Sequence, residues 1–147
     1  MAANGETRDE ARIRGLVEDR AVAILAKDLE RVMATYAPDV LSFDAVNPLQ
    51  NAGSDAVRQR LRAWFAAYEG PIGCEIRGLA VAARDDLAFA HSLHRFSGTM
   101  TNGKGVDMWV RDTLCLRRLD GRWLITHEHM SEPFDPETGQ ASLHLKP

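Results

Sequence analysis

Apolar positions recur at helical spacing from Ile13 through Leu16, Val17 and Ile24 to Leu25, which predicts a long amphipathic helix reaching Lys27. Thr7 and Glu10, three residues apart just ahead of that run, form a capping box that sets its start. Asp28 can cap a second, shorter helix with the stripe Leu29, Val32, Met33 and Tyr36, ended by Pro38, which disfavours helix at Ala37. From Val40 to Asp44 the pattern alternates, predicting a short strand that ends in a carboxylate just before the loop AVNPLQNAG. Ser54 can cap a third helix that carries Val57, Leu61, Trp64, Phe65 and Tyr68 on one face, stopped by Gly70-Pro71.

Beyond Ile72 the pattern is almost entirely that of strands, near 72–84, 86–98, 106–118 and 122–131, separated by Asp85-Asp86, Asn102-Gly103 and Asp120-Gly121. Three helices followed by a meander of long strands predict an α+β fold, with the helices on one face of an antiparallel sheet. The tail after Pro133 is polar and reads as irregular.

The last hairpin, between Val106 and Phe134, gathers most of the polar chemistry: Arg111, Asp112, His127, Glu128 and His129 lie among Trp109, Leu114, Leu116, Trp123 and Ile125. Which of these share a face depends on the turn, because a one-residue change in loop length flips the pairing. A two-residue loop sets Asp112 opposite His129. A three-residue loop with Gly121 in a left-handed bulge sets Asp112 opposite Glu128, and groups Trp109, Arg111 and Thr113 with His127, His129 and Ser131 on the other face. A two-residue turn at Asn102-Gly103 pairs Asp112 with Leu93, and so brings His91 and Arg95 diagonally beside Asp112 on its own face, within about 7–8 Å. A bulge at Gly98 or Gly105 would flip that register.

At 147 residues the chain suits one core, so a single domain 1–147 is expected, with an ordered part at about 7–132 and a tail at 133–147. A formal charge of −3 without a basic stripe speaks against nucleic acid and acidic membrane surfaces as partners. No run approaches the roughly 18 apolar residues of a spanning helix, and MAANGETRDE lacks the order of a signal peptide, so a cytoplasmic location is expected. Cys74 and Cys115 sit in strand-like runs without CxxC spacing and read as buried thiols. His127 and His129 share a strand face without a third ligand, whereas zinc needs three or four, so neither metal nor cofactor is expected.

The segments KDLERVMATYAPDV, FDAVNPLQNAG, AFAHSLHRFSG and WVRDTLCLRRLDGRWLITHEHMSEPFD resemble, over nearly the whole chain, the nuclear-transport-factor-2-like superfamily, and within it the SnoaL-like and ketosteroid-isomerase-homologue proteins. The resemblance implies a cone: a curved sheet wrapped around a pocket that the helices close, commonly in a homodimer. In the isomerases of this superfamily an Asp base works with a Tyr and a protonated Asp that stabilise a dienolate. By motif, Asp44 falls at the base and Asp112 at the second Asp, while Ala21 stands where the Tyr would be. The resemblance also favours the three-residue reading of the last turn.

Together these readings predict a pocket of His91, Arg95, Asp112, Glu128 and Met130 facing Asp44, with Trp64 as a lining candidate from the third helix. The leading function is an isomerase or lyase in which Asp44, with Asp112 and His91 as further catalytic candidates, moves a proton on a hydrophobic carbonyl compound, and Asp112 or Arg95 steadies the oxyanion. A binding module in which Arg95 and His91 hold a ligand carboxylate is the rival. A dimerisation domain is the third, since the association domain of a calcium/calmodulin-dependent kinase resembles the same fold and carries a similar DGxW…HxH hairpin. The outer sheet face, with Trp109, Arg111, His127 and His129, is the expected dimer contact.

Overall fold

The computed structural model describes residues 5–147. Helix α1 spans Arg8–Leu25, with both halves of the Thr7/Glu10 capping box formed. Its buried stripe is Ile13, Val17, Arg20, Ala23 and Ile24, the apolar side of the expected helix with a guanidinium set into it. Helix α2 is one short turn, Leu29–Met33, capped by the Asp28 side chain. Tyr36, expected on that helix, instead opens strand β1 (Tyr36–Phe43). Extended geometry ahead of Pro38 favours the strand, and the sheet accommodates the proline where pairing is interrupted between Tyr36 and Leu41.

Strand β2 (Asn51–Ala52) pairs with β1, and helix α3 (Ser54–Ala66) follows from Gly53, whose φ of 86° is the left-handed conformation that glycine adopts without penalty. Strand β3 runs Tyr68–Arg84, so Tyr68 also leaves the helix to which its spacing assigned it. Pro71 sits in β3 between Glu69 and Gly73, where the register shifts, on a strand at the sheet edge. Strands β4 (Leu87–Met100), β5 (Gly105–Leu119) and β6 (Arg122–Ser131) complete a six-stranded sheet in the order β2-β1-β6-β5-β4-β3. The α+β architecture is as expected. The sheet is mixed rather than wholly antiparallel, because β1 runs parallel to β6.

Two turns determine which side chains face the helices. At the end of β5, Asp120 and Gly121 both have positive φ, 49° and 76°, and Leu119 pairs with Arg122, which makes a two-residue hairpin turn. A bulge at Thr126 follows: Cys115 pairs with His127 and Leu116 with Ile125. The bulge shifts the remaining register, so that Leu114 faces Glu128 and Asp112 faces Met130. Asp112 and Glu128 therefore share a face, as a three-residue loop would have arranged, by a different route.

Between β4 and β5 the loop has three residues, 101–103: Met100 N–H donates to Lys104 O at 2.8 Å and Gly103 N–H to Met100 O at 2.8 Å. Asp112 consequently pairs with Ser92, not Leu93, and the face of β4 turned toward the core carries His94 and Phe96. That one-residue difference moves His91 and Arg95 to the other side of the sheet. The inner face packs Ile72, Ala90, Phe96, Val110, Leu114 and Ile125 against the α1 stripe, with α1 lying across β3. Each fully buried aliphatic side chain contributes about 1.5–3 kcal/mol relative to exposure. The tail is irregular apart from one bridge, Phe134 to Ala141.

Candidate active site

Between the inner face of the sheet and the helices lies a cavity of about 590 Å³. Its walls are largely apolar: Ile24 from α1, Val57, Leu61 and Trp64 from α3, and Phe96, Val110 and Met130 from the sheet. Trp64 meets Phe96 edge to face at 5.1 Å and Tyr68 at 6.2 Å, so one aromatic cluster holds this side of the cavity in place. A region this size and this apolar, with few polar groups, has the character of a small-molecule site.

Polar groups collect in two places. At the floor, Arg20 Nη2 donates to Glu128 Oε1 at 2.7 Å and Oε2 at 2.9 Å, and also to the Tyr36 hydroxyl, which in turn donates to Glu128 Oε2. Burial above all keeps the Tyr36 phenol protonated well beyond its ordinary range, as a donor must be. Behind this layer Asp112 Oδ2 lies 3.9 Å from Arg20 Nη1 and 3.6 Å from His94 Nε2, which meets Ser92 Oγ at 2.9 Å. Burial first, then the neighbouring Glu128, pushes the Asp112 carboxyl up; Arg20 opposes but already serves Glu128. Burial, reinforced by Arg20, pushes the His94 imidazole down to about 4. Burial thus favours the uncharged forms of Asp112 and His94 beside the Arg20–Glu128 ion pair. The 3.6 Å His94–Asp112 approach is then a polar contact rather than an ion pair, and too long for a hydrogen bond. Among the described residues, Arg20 Nε, His94 Nδ1 and both Asp112 oxygens have no hydrogen-bond partner.

At the mouth, Asp44 follows the last residue of β1 and lines the cavity. Arg60 Nε lies 2.9 Å from Asp44 Oδ2 in an ion pair whose N–H is not aligned for a hydrogen bond. Asn51 on β2 pairs with Ser42, two residues before Asp44, and its buried amide nitrogen has no partner. Glu132, one residue past β6, lines the same mouth and likewise keeps a buried oxygen, Oε2, without a partner.

Of the expected site residues, Asp44, Glu128, Met130 and Trp64 line the cavity. Asp112 is on the expected face but sits behind the floor and does not reach the lining. His91 is exposed on the outer face, stacked near Phe89. Arg95 is also on that side, bound to Asp107 at 2.8 Å and to Glu75 at 3.4 Å, and has no contact with Asp112. Both displacements follow from the three-residue loop at 101–103. The residues that sequence reading missed are Arg20, Tyr36, His94, Asn51, Arg60 and Glu132. Arg20 left a signal: it stands three residues after Val17 and four before Ile24, a charge inside an apolar stripe.

A family model for the SnoaL-like domain matches residues 13–135. The chain belongs to the SnoaL-like family. Among solved structures, this SnoaL-like chain is similar to a nuclear-transport-factor-2-like protein of unknown function from Pseudomonas putida, at 36% identity and TM-score 0.87, over 95% of this chain and 96% of that one. A ketosteroid isomerase-like protein from Erwinia carotovora shares its fold at 20% identity and TM-score 0.74, covering 85% of this chain and 96% of that one. So does a proposed dehydratase of the same superfamily from Streptomyces avermitilis, at 17% identity and TM-score 0.74, covering 84% and 95%. No curated protein matches the chain. No helix among the described residues is long and apolar enough to cross a membrane.

Proposed function

We propose that this SnoaL-like protein is a cofactor-independent isomerase or lyase that moves a proton on a small hydrophobic carbonyl compound. The observation that carries the reading is the mouth of the cavity, where Asp44 and Asn51, whose buried amide nitrogen has no hydrogen-bond partner among the described residues, line an apolar chamber of about 590 Å³. Asp44 is the base that removes a proton from the carbon next to the carbonyl. Asn51 is a donor with nothing else to bind, suited to the oxygen on which negative charge then builds. Aromatic and aliphatic walls accept the body of the substrate and exclude water around the reacting atoms.

Asp112 and Arg95 lose the oxyanion role considered for them, since one lies behind the floor and the other on the outer face. The ligand-carboxylate reading rested on Arg95 and His91, both now outside the cavity, and Arg20 is already occupied by Glu128. That favours catalysis over simple capture of an anion.

A panel of β,γ-unsaturated ketones, followed by the ultraviolet absorbance of the conjugated product, tests the reading. Wild-type protein is expected to accelerate conjugation, and Asp44→Asn to lower it by on the order of 10²-fold or more. Conjugation by Asp44→Asn at the wild-type rate would refute the assignment.

A further inference from the structure

The geometry points to Glu132 as a second proton-transfer group of the cavity, one that protonates a leaving hydroxyl while Asp44 takes a proton from carbon, and so to a β-hydroxy carbonyl compound that loses water as the preferred substrate. This rests on the reading of Asp44 as base. Strands β1 and β6 are parallel neighbours, with Ser42 level with Glu128 and Phe43 with His129. Asp44 is then level with Met130, and Glu132 follows two residues on, continuing the alternation that gives Glu128, Met130 and Glu132 to the cavity. Two carboxyl groups therefore end adjacent strands at one mouth.

Their surroundings differ. Asp44 has the guanidinium of Arg60 at 2.9 Å. Among the described residues Glu132 has no ion-pair partner, and its Oε2 is buried without a hydrogen bond although the residue as a whole is partly exposed. The other charged groups lining the cavity are Arg20 and Glu128, locked together at the floor, and Lys104 and Asp107 near the β4–β5 loop. Burial first, then the charge of Asp44, raises the Glu132 carboxyl above the ordinary glutamate range. A carboxyl raised in this way, beside a second carboxyl paired with a guanidinium, suits the role of acid next to a base.

Isomerisation needs only one such group, because a base that takes a proton can return it at another carbon. Loss of water also requires a proton at the departing oxygen, which a second carboxyl at the mouth supplies without the first having to carry it there. Asp44 accepts the α-proton, the C–H electron pair becomes the new C=C bond, and the C–O bond to the hydroxyl breaks. The departing oxygen leaves as water with the proton of Glu132. Asp44 is then neutral and Glu132 ionised, and transfer of the proton from Asp44 to Glu132 restores the starting state with no external oxidant or reductant.

Carboxyl NMR titration of isotope-labelled protein, with the two resonances assigned through Glu132→Gln and Asp44→Asn, tests the unequal protonation without any substrate. Glu132 is expected to titrate above the ordinary glutamate range and to move down in Asp44→Asn; an ordinary glutamate titration, unmoved by Asp44→Asn, would overturn the proposal. The aldol of benzaldehyde and acetone then serves as probe, with dehydration followed by absorbance and α-proton exchange followed in heavy water. Glu132→Gln is expected to lower the ratio of dehydration to exchange by on the order of 10²-fold, and Glu132→Asp to restore part of it. An unchanged ratio, with exchange still dependent on Asp44, would overturn the role of Glu132 and leave that of Asp44 standing. Absence of Asp44-dependent exchange would remove both.

Discussion

Arg20 and Glu128, 108 residues apart in sequence, form a buried ion pair in which one guanidinium nitrogen meets both carboxylate oxygens, at 2.7 and 2.9 Å. The pair ties α1 to β6 across the cavity floor. Burying two charges is expensive, and their attraction offsets that cost only while both are present. Arg20→Met is therefore expected to destabilise the protein by about 3–5 kcal/mol, since it leaves Glu128 buried without its cation. The double variant Arg20→Met/Glu128→Leu should recover much of that loss in denaturant unfolding. A double variant less stable than Arg20→Met would mean that Glu128 stabilises the fold even without its cation, through the Tyr36 hydroxyl.

Stability should also carry a pH signature from the layer behind the floor. Asp112, whose pKa is raised, keeps a proton in the folded state that the unfolded chain releases above about pH 4. Its contribution is full below that point and is lost as pH rises toward its folded pKa. His94, lowered to about 4 from 6.5, has the opposite effect: its contribution is present above pH 6.5 and is lost as pH falls through that window. The two slopes oppose one another wherever their windows overlap below pH 6.5. Asp112→Asn should therefore remove the decline of stability that begins above about pH 4, a decline of at most about 1.4 kcal/mol per pH unit. A decline of unchanged slope in chemical unfolding would mean that Asp112 is ionised in the fold.

Much of the fold was legible because its signals are local. The Thr7/Glu10 box, the α1 stripe and the Asp120-Gly121 turn each depend on residues within a few positions of one another. The site was harder, because a strand face depends on the sum of turns and bulges. Asn102-Gly103 suggested a two-residue loop where Thr101 makes it three, and this exchanged His94 and Phe96 for His91 and Arg95. The Thr126 bulge has no strong sequence mark, yet it compensates for the shorter final turn, so Asp112 and Glu128 were rightly read as sharing a face. Asp44 was readable from its place at a strand end. Its pairing with Arg60 was not, because it joins a loop to a helix whose approach no local pattern encodes.

Asn51 supplies a prediction about turnover. Asn51 lines the cavity and its buried amide nitrogen has no partner among the described residues; loss of a single donor to a developing oxyanion commonly costs about 10²–10³-fold in rate. Asn51→Ala should lower kcat on an accepted ketone with a smaller change in KM. A rise in KM alone, with kcat intact, would make Asn51 a binding group without a role in the transition state.

The outer face of the sheet is expected to form a homodimer contact. Trp109, with Arg77 over its ring at 4.8 Å, stands there with Arg111, His127 and His129, and Phe43 meets both histidine rings edge to face. Phe89, 51% exposed, extends the same surface. Light scattering at micromolar concentration should give the mass of two chains, and Trp109→Glu or His129→Glu should shift it toward one. A monomeric wild type would contradict this assignment of the face.

Asp44 is the base of the proposed reaction, and α-proton exchange in heavy water reads its action without requiring the natural substrate to be known. With a set of hydrophobic ketones, wild-type protein is predicted to promote deuterium incorporation beside the carbonyl, and Asp44→Asn to reduce the rate by on the order of 10²-fold while unfolding at a similar denaturant concentration. Exchange that persists undiminished in a folded Asp44→Asn protein would contradict the proposal that this carboxylate is the base.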